Sequence, residues 1–248
     1  MTIRCCFKLI LFFILCIIFI IDCSLSTAGE PYTEEYAYEA IPTKDKGKDL
    51  KEFIEIRLIH SDQQIICNLK RRSSEAQEII KIETSSDGKF HSATKDKIDN
   101  FGKYIHIAEI FRDEENVYVR QFSNGSLKTK EYSILRGKPL AVDASLLLLM
   151  RFFPFDKNME WDVFMVDFSQ SSISVRVVQA DIENIVVPAG EFECYRMEVI
   201  VKFFIFRTKI TYWITKKEPH FLVKHIGKRG PFTTAYTTSL VSVKPEVK

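Results

Sequence analysis

The sequence predicts an all-β sandwich or barrel that carries one apolar helix. Three observations predict it: apolar and polar residues alternate over most of the chain from Phe53 onward, turn signals separate the alternating runs, and a single leucine-rich stretch breaks the alternation. The composition supplies the material. Of 248 residues 46% are hydrophobic and 12% aromatic, and 35 basic residues against 33 acidic ones leave a formal net charge of +2. These fractions exclude a disordered chain and a multi-span membrane protein. A balance so near zero gives no field able to gather nucleic acid along a face.

Residues 1–28 read as a signal peptide. Arg4 and Lys8 make a basic start, and Leu9 to Ile21 is an unbroken apolar run of 13 residues. That length suits the roughly 7–15 residues of a signal core and falls short of the about 18 expected of a membrane span. Ser26-Thr27-Ala28 supplies the small residues of a cleavage site before Gly29. Two alternatives stand beside cleavage: an uncleaved N-terminal anchor, or a lipobox at Ile20-Ile21-Asp22-Cys23 with Cys23 lipidated. All three place the protein outside the cytoplasm, in the periplasm or cell envelope. Residues 29–48 are polar, contain two prolines and show no period, so they read as a flexible lead-in. Residues 49–243 read as one β-barrel-like domain and 244–248 as a tail.

Within that domain Ile54, Ile56 and Leu58 alternate with Glu55 and Arg57. Ile173, Val175 and Val177 alternate with Ser174 and Arg176. Tyr195, Met197, Val199, Val201, Phe203 and Ile205 form a long apolar row opposite Arg196, Glu198 and Lys202. Such rows mark strands with one face buried and one wet. Asp87-Gly88 and Asn124-Gly125 provide the positive φ values of tight hairpins, and Pro188-Ala189-Gly190 and Gly227 to Pro231 are further turns. About a dozen strands fit at the spacing of a sandwich or barrel. The exception spans about 144–153. Asp143 is a good N-cap, Leu146 to Met150 are strong helix formers, and Pro154 stops the run. This helix must bury its apolar side on the concave face of the sheet or in the end of the barrel. It serves there as a core filler or as a lid over a cavity, with Leu147, Met150 and Phe153 facing the sheet and Trp213 among the lining residues.

Known chemical signatures are absent from the sequence. There is no HExxH, no GxSxG, no P-loop and no GxGxxG, so no catalytic residue, metal ligand or cofactor is assigned and the chain is read as a non-enzyme. His220 and His225 lie an odd number of residues apart, which on a strand points them to opposite faces. His106 and Glu109 have the same problem. Asp113 to Asn116 is acidic but lacks the pattern of a calcium loop and reads as a solvated turn. The basic clusters Lys70-Arg71-Arg72, Lys216-Lys217 and Lys228-Arg229 read as separate solvated turns, with contact to anionic lipid head groups as the other reading. Export leaves Cys67 and Cys194 in the mature chain, where a disulfide between them is allowed. Strand parity argues against it, placing Cys67 on the apolar face and Cys194 with Arg196 and Glu198 on the polar one.

Asp143-Ala144-Ser145-Leu146 leading to Met150-Arg151, then Val187-Pro188-Ala189-Gly190-Glu191-Phe192-Glu193-Cys194-Tyr195-Arg196, Tyr212-Trp213-Ile214 and Leu222-Val223-Lys224, resemble in order and spacing a family of exported bacterial proteins, domain of unknown function 3108. The resemblance spans about Phe53 to Val243. It implies a curved antiparallel sheet forming an open or nearly closed barrel, similar in outline to lipoprotein-carrier and lipid-binding folds of the bacterial envelope. The family's first hairpin is glycine-rich, and the strands around Arg57–Leu69 depart from that pattern. No catalytic residue carries over. The expected function is a non-catalytic envelope protein that binds a lipid or other apolar small molecule in the barrel cavity, the alternative being a scaffold or protein-interaction module with a packed core. The expected partners are that apolar ligand, an envelope protein or a membrane surface, and not nucleic acid.

Overall fold

The computed structural model describes residues 30–43, 51–74, 76–123, 125–142, 145–155, 160–203, 206–228 and 235–245. The leader and the capping Asp143 lie outside the described residues. Eight strands come first, each antiparallel to the next: β1 (Tyr32–Pro42), β2 (Glu52–His60), β3 (Gln64–Arg72), β4 (Ala76–Ser85), β5 (Phe90–Asp99), β6 (Tyr104–Arg112), β7 (Asn116–Ser123) and β8 (Ser126–Ser133). Residues 134–139 lead to β9 (Leu140–Val142), then to helix α1 (Ser145–Met150) and to β10 (Glu160–Val166), which pairs with β9 in parallel. A second antiparallel run follows: β11 (Ser172–Val187), β12 (Gly190–Phe203), β13 (Phe206–Thr215), β14 (Leu222–Lys228) and β15 (Ala235–Pro245). β15 then pairs with β1, so the described residues form one fifteen-stranded sheet with β8 and β9 at its edges.

Such a sheet cannot lie flat. At about 4.8 Å per strand its edges would stand roughly 67 Å apart, yet the seven residue steps from Ser133 to Leu140 reach at most about 25 Å. The sheet therefore rolls until its edges approach, without ladder pairing between β8 and β9. Side chains bridge the gap instead. Gln170, in the turn after β10, has a left-handed φ of 63°. Its side-chain amide donates to the carbonyls of Val119 (3.3 Å) and Lys128 (3.0 Å). Its own carbonyl accepts from Lys130 Nζ (3.1 Å) and from the Tyr132 hydroxyl. The result is a rolled, unclosed barrel, as the family resemblance implies.

The inward rows follow the sequence periods: Ile54 and Leu58 on β2, Ile65, Cys67 and Leu69 on β3, Ile80 and Ile82 on β4, and Met197 and Val199 on β12 are all buried. Four expectations need correction. The stretch taken as part of a flexible lead-in contains β1, which lies between β2 and β15 far from either edge. Its inward residues are Glu34, Tyr36, Tyr38, Ala40 and Pro42, a row too polar and too small to read as period two. At the other terminus Lys244 and Pro245 pair with Glu35 and Glu34 and belong to the sheet. His106 and Glu109 share a face, with Nε2 3.4 Å from Oε1. The reason is a bulge: His106 pairs with Asp96 and Ala108 with Lys95, so Ile107 is an extra residue that resets the alternation. Cys194 is buried rather than on a wet face.

Candidate functional site

Helix α1 is short and has no charged residue in its first or last turn. Six residues cannot hold a helix by propensity, so packing must hold it. Ser145, Leu146, Leu148, Leu149 and Met150 are all buried and Leu147 packs partly buried against the same core. A helix covered nearly all round is an interior element. The chain then turns at Arg151 and Phe152, and Phe152 lies directly over Gly88, whose φ is +83°.

Arg151 carries the main electrostatic feature. Its guanidinium makes a two-pronged contact with Glu34 of β1, Nη1–Oε2 at 2.7 Å and Nη2–Oε1 at 3.1 Å. The two side chains are 11% and 4% exposed. Tyr36 donates its hydroxyl to Glu34 Oε2 at 2.7 Å, His60 Nε2 stands 3.5 Å from Oε1, and Tyr32 stacks flat on the His60 ring at 4.3 Å. Burial works to raise the Glu34 carboxyl, but the His60 ring, the Arg151 guanidinium and the Tyr36 hydroxyl outweigh it and bring it down to about 2. Burial, aided by the carboxylate, raises the Tyr36 phenol above its ordinary range. Arg151 is held charged: burial lowers its affinity for the proton, and Glu34 more than restores it.

Next to this pair the helix leaves a void of about 30 Å³ against β1 and β3, walled by Leu147, Leu148, Tyr36, Tyr38, Cys67 and Phe221. Of the four residues the sequence points to as cavity lining, Leu147 alone is on this wall. Met150 is 1% exposed and Phe153 is 3% exposed, and the Phe153 ring packs on Phe155 and Trp161 at 5.4 and 5.1 Å. Trp213 is engaged elsewhere, donating Nε1–H to Glu183 Oε2 at 2.8 Å beneath the Lys224 ammonium, which sits 5.5 Å from the ring. Cys67 and Cys194 are both free thiols and not disulfide-bonded. Burial pushes Cys67 up to about 12, and burial, then Glu183 and Glu193, does the same to Cys194. Glu34, the partner of Arg151, escapes sequence reasoning because it sits in a segment with no apolar period.

Two other polar features exist. On β5 and β6, His106 Nδ1 meets Asp96 Oδ1 at 2.5 Å, with the Phe122 ring 4.6 Å away. At the end of the roll below α1, an open cleft of about 780 Å³ lies between the β4–β5 turn, the β6–β7 turn and residues 133–140. Phe90, Leu140 and Leu149 form its floor, while Lys89, Arg112 and Glu115 are among the charges of both signs on its rim. Among the described residues no group of three or more His, Cys, Asp or Glu side chains could hold a metal ion.

A family model described as "Protein of unknown function (DUF3108)" matches residues 78–234. The match runs from within β4 to the connection before β15. Among solved structures, the crystal structure of a "putative lipoprotein" from Parabacteroides distasonis is similar at 10% identity and a TM-score of 0.33, covering 86% of this chain and 95% of that one. None of the curated proteins matches.

Proposed function

The chain belongs to the DUF3108 family, and from that membership, which brings no activity with it, we propose that it is an exported, non-catalytic module of the cell envelope whose interior is filled by its own helix. Export rests on the leader: a basic start, a 13-residue apolar core and a Ser26-Thr27-Ala28 cleavage site. Residence in the periplasm, or at a membrane through a retained leader or a lipidated Cys23, follows from the same segment.

The observation that carries the packed reading is the burial of α1. A carrier for a lipid needs a pocket of several hundred Å³, since sites for drug-sized ligands run about 300–1,000 Å³. The space under the helix is about 30 Å³, room for roughly one water. The helix is also tied down, because its exit residue Arg151 is paired with Glu34 across the interior. The larger cleft of about 780 Å³ is open to solvent at the end of the roll and rimmed by charges of both signs, so the geometry favours a scaffold or protein-interaction module over an enclosed cavity for an apolar ligand. The chemistry of the buried groups supports a non-enzymatic role. A carboxylate held near 2 is a poor base, and thiols held near 12 are poor nucleophiles at neutral pH.

Mass spectrometry of a solvent extract from the protein, purified from its native envelope without detergent, tests this reading. A stable, monodisperse protein with nothing apolar bound is the expected result. A lipid recovered at one per chain would overturn it in favour of a carrier.

A further inference from the structure

Strand direction alternates through β1 to β8, so the connections after β3, β5 and β7 lie at one end of this half of the sheet and those after β2, β4 and β6 at the other. The two ends differ in character. The first carries Arg72, Lys103 and Lys128 against Glu52, Glu78 and Asp99; Arg72 is paired with Glu55 at 3.0 Å, and Glu52 and Glu78 are engaged by Arg71 at 3.8 and 2.9 Å. Asp99 is spent on its own turn, accepting the N–H groups of Phe101 and Lys103, both at 2.9 Å. The second end carries Asp62, Asp87, Asp113, Glu114 and Glu115 against Lys89, Arg112, Arg136 and Lys138.

On the hairpins that carry Lys103 and Lys128, the first end also presents apolar side chains to water. Phe101, at the tip of the β5–β6 hairpin, is 95% exposed, and Tyr104 beside it is 58% exposed. Leu127, at the start of β8, is 54% exposed on the neighbouring hairpin. The turn that holds Phe101 out is built rather than loose: Asp99 caps it and Gly102 takes a φ of +78°. An aromatic ring held in water at a hairpin tip does nothing for the core.

We propose that this end docks on an anionic lipid surface, with Phe101, Tyr104 and Leu127 entering the head-group layer and Lys103 and Lys128 facing lipid phosphates. The occupant follows from shape and charge. The apolar groups are separate knobs on hairpin tips, whereas a specific protein interface needs a continuous patch of about 800 Å² per partner. A fluid interface accepts isolated aromatic and aliphatic tips and rewards lysines beside them. This inference goes beyond the packed-module reading and fails separately from it: recovered lipid cargo would overturn that reading alone.

The test uses the full chain with vesicles of phosphatidylcholine, with and without an equal part of phosphatidylglycerol. Flotation with the anionic vesicles is expected, reversed by raising salt from about 0.1 M to about 0.5 M. Phe101→Ser should weaken partitioning about tenfold with an unchanged thermal melt. In Phe101→Trp the introduced indole should shift its emission to the blue on anionic vesicles only. Equal binding to neutral vesicles, unchanged binding of Phe101→Ser, or an indole that stays in water while the protein floats would each overturn the proposal. So would an absence of vesicle binding.

Discussion

The buried pair of Glu34 and Arg151 is a residue-scale commitment whose consequences can be measured. Its two side chains satisfy each other, so removing one leaves the other charged and dry. Arg151→Met should lower stability by about 3–5 kcal/mol, read by chemical denaturation, and Glu34→Gln combined with Arg151→Met should recover much of that loss. Acid should act on the same contact. Because the folded carboxyl titrates at about 2 against an ordinary 4.5, its contribution is complete above about 4.5 and is lost as pH falls toward 2. The acid limb of a melting profile should therefore be shallower in Glu34→Gln than in the parent. A second residue-scale prediction concerns Gly88. Its φ of +83° and the Phe152 ring against it leave no room for a methyl group, so Gly88→Ala should cost about 1–3 kcal/mol in the same assay. Arg151 is visible in the sequence as part of the family-like helix motif. Its partner is not, because a glutamate followed by two tyrosines on an inward row does not look like the side of a strand that faces a core.

Elements were legible where their inward rows were aliphatic. Ile54 to Leu58, Ile173 to Val177 and Tyr195 to Val199 form strands as their alternation predicts. The helix forms where the leucines predict it, although its described span, Ser145–Met150, is shorter than the expected 144–153. Illegibility had local physical causes. A bulge at Ile107 shifts parity on β6 and brings His106 and Glu109 together, and no residue type announces it. Met150 is 1% exposed inside the roll, so Met150→Ala should cost about 2–5 kcal/mol by thermal or chemical melting. The seam is an element-scale feature with its own test. Gln170 links the β10–β11 turn to β7 and β8 through four hydrogen bonds. Gln170→Ala should speed amide hydrogen exchange in β7 and β8 while leaving β1 to β3 unchanged.

For the whole molecule, the β class and the rolled sheet were readable, whereas the order of the strands was not. Period and turn signals act over a few residues, but the pairing of β1 with β15 joins the two ends of the domain. The same arrangement limits what the family match can mean physically. Residues 78–234 omit β1 to β3 and β15, which lie between β4 and β14. That segment expressed alone should give no cooperative melt; a sharp two-state transition from it would contradict the continuity of the sheet. The position of β15 also sets a clock. During synthesis at roughly 5–20 residues per second, about 10–40 s separate the appearance of β1 from that of β15. Until β15 is in place β1 keeps an unpaired edge open to wrong partners. Because β15 fills the place between β1 and β14, the contact that removes this edge is also among the most distant in sequence, the kind that contact order makes slow to form.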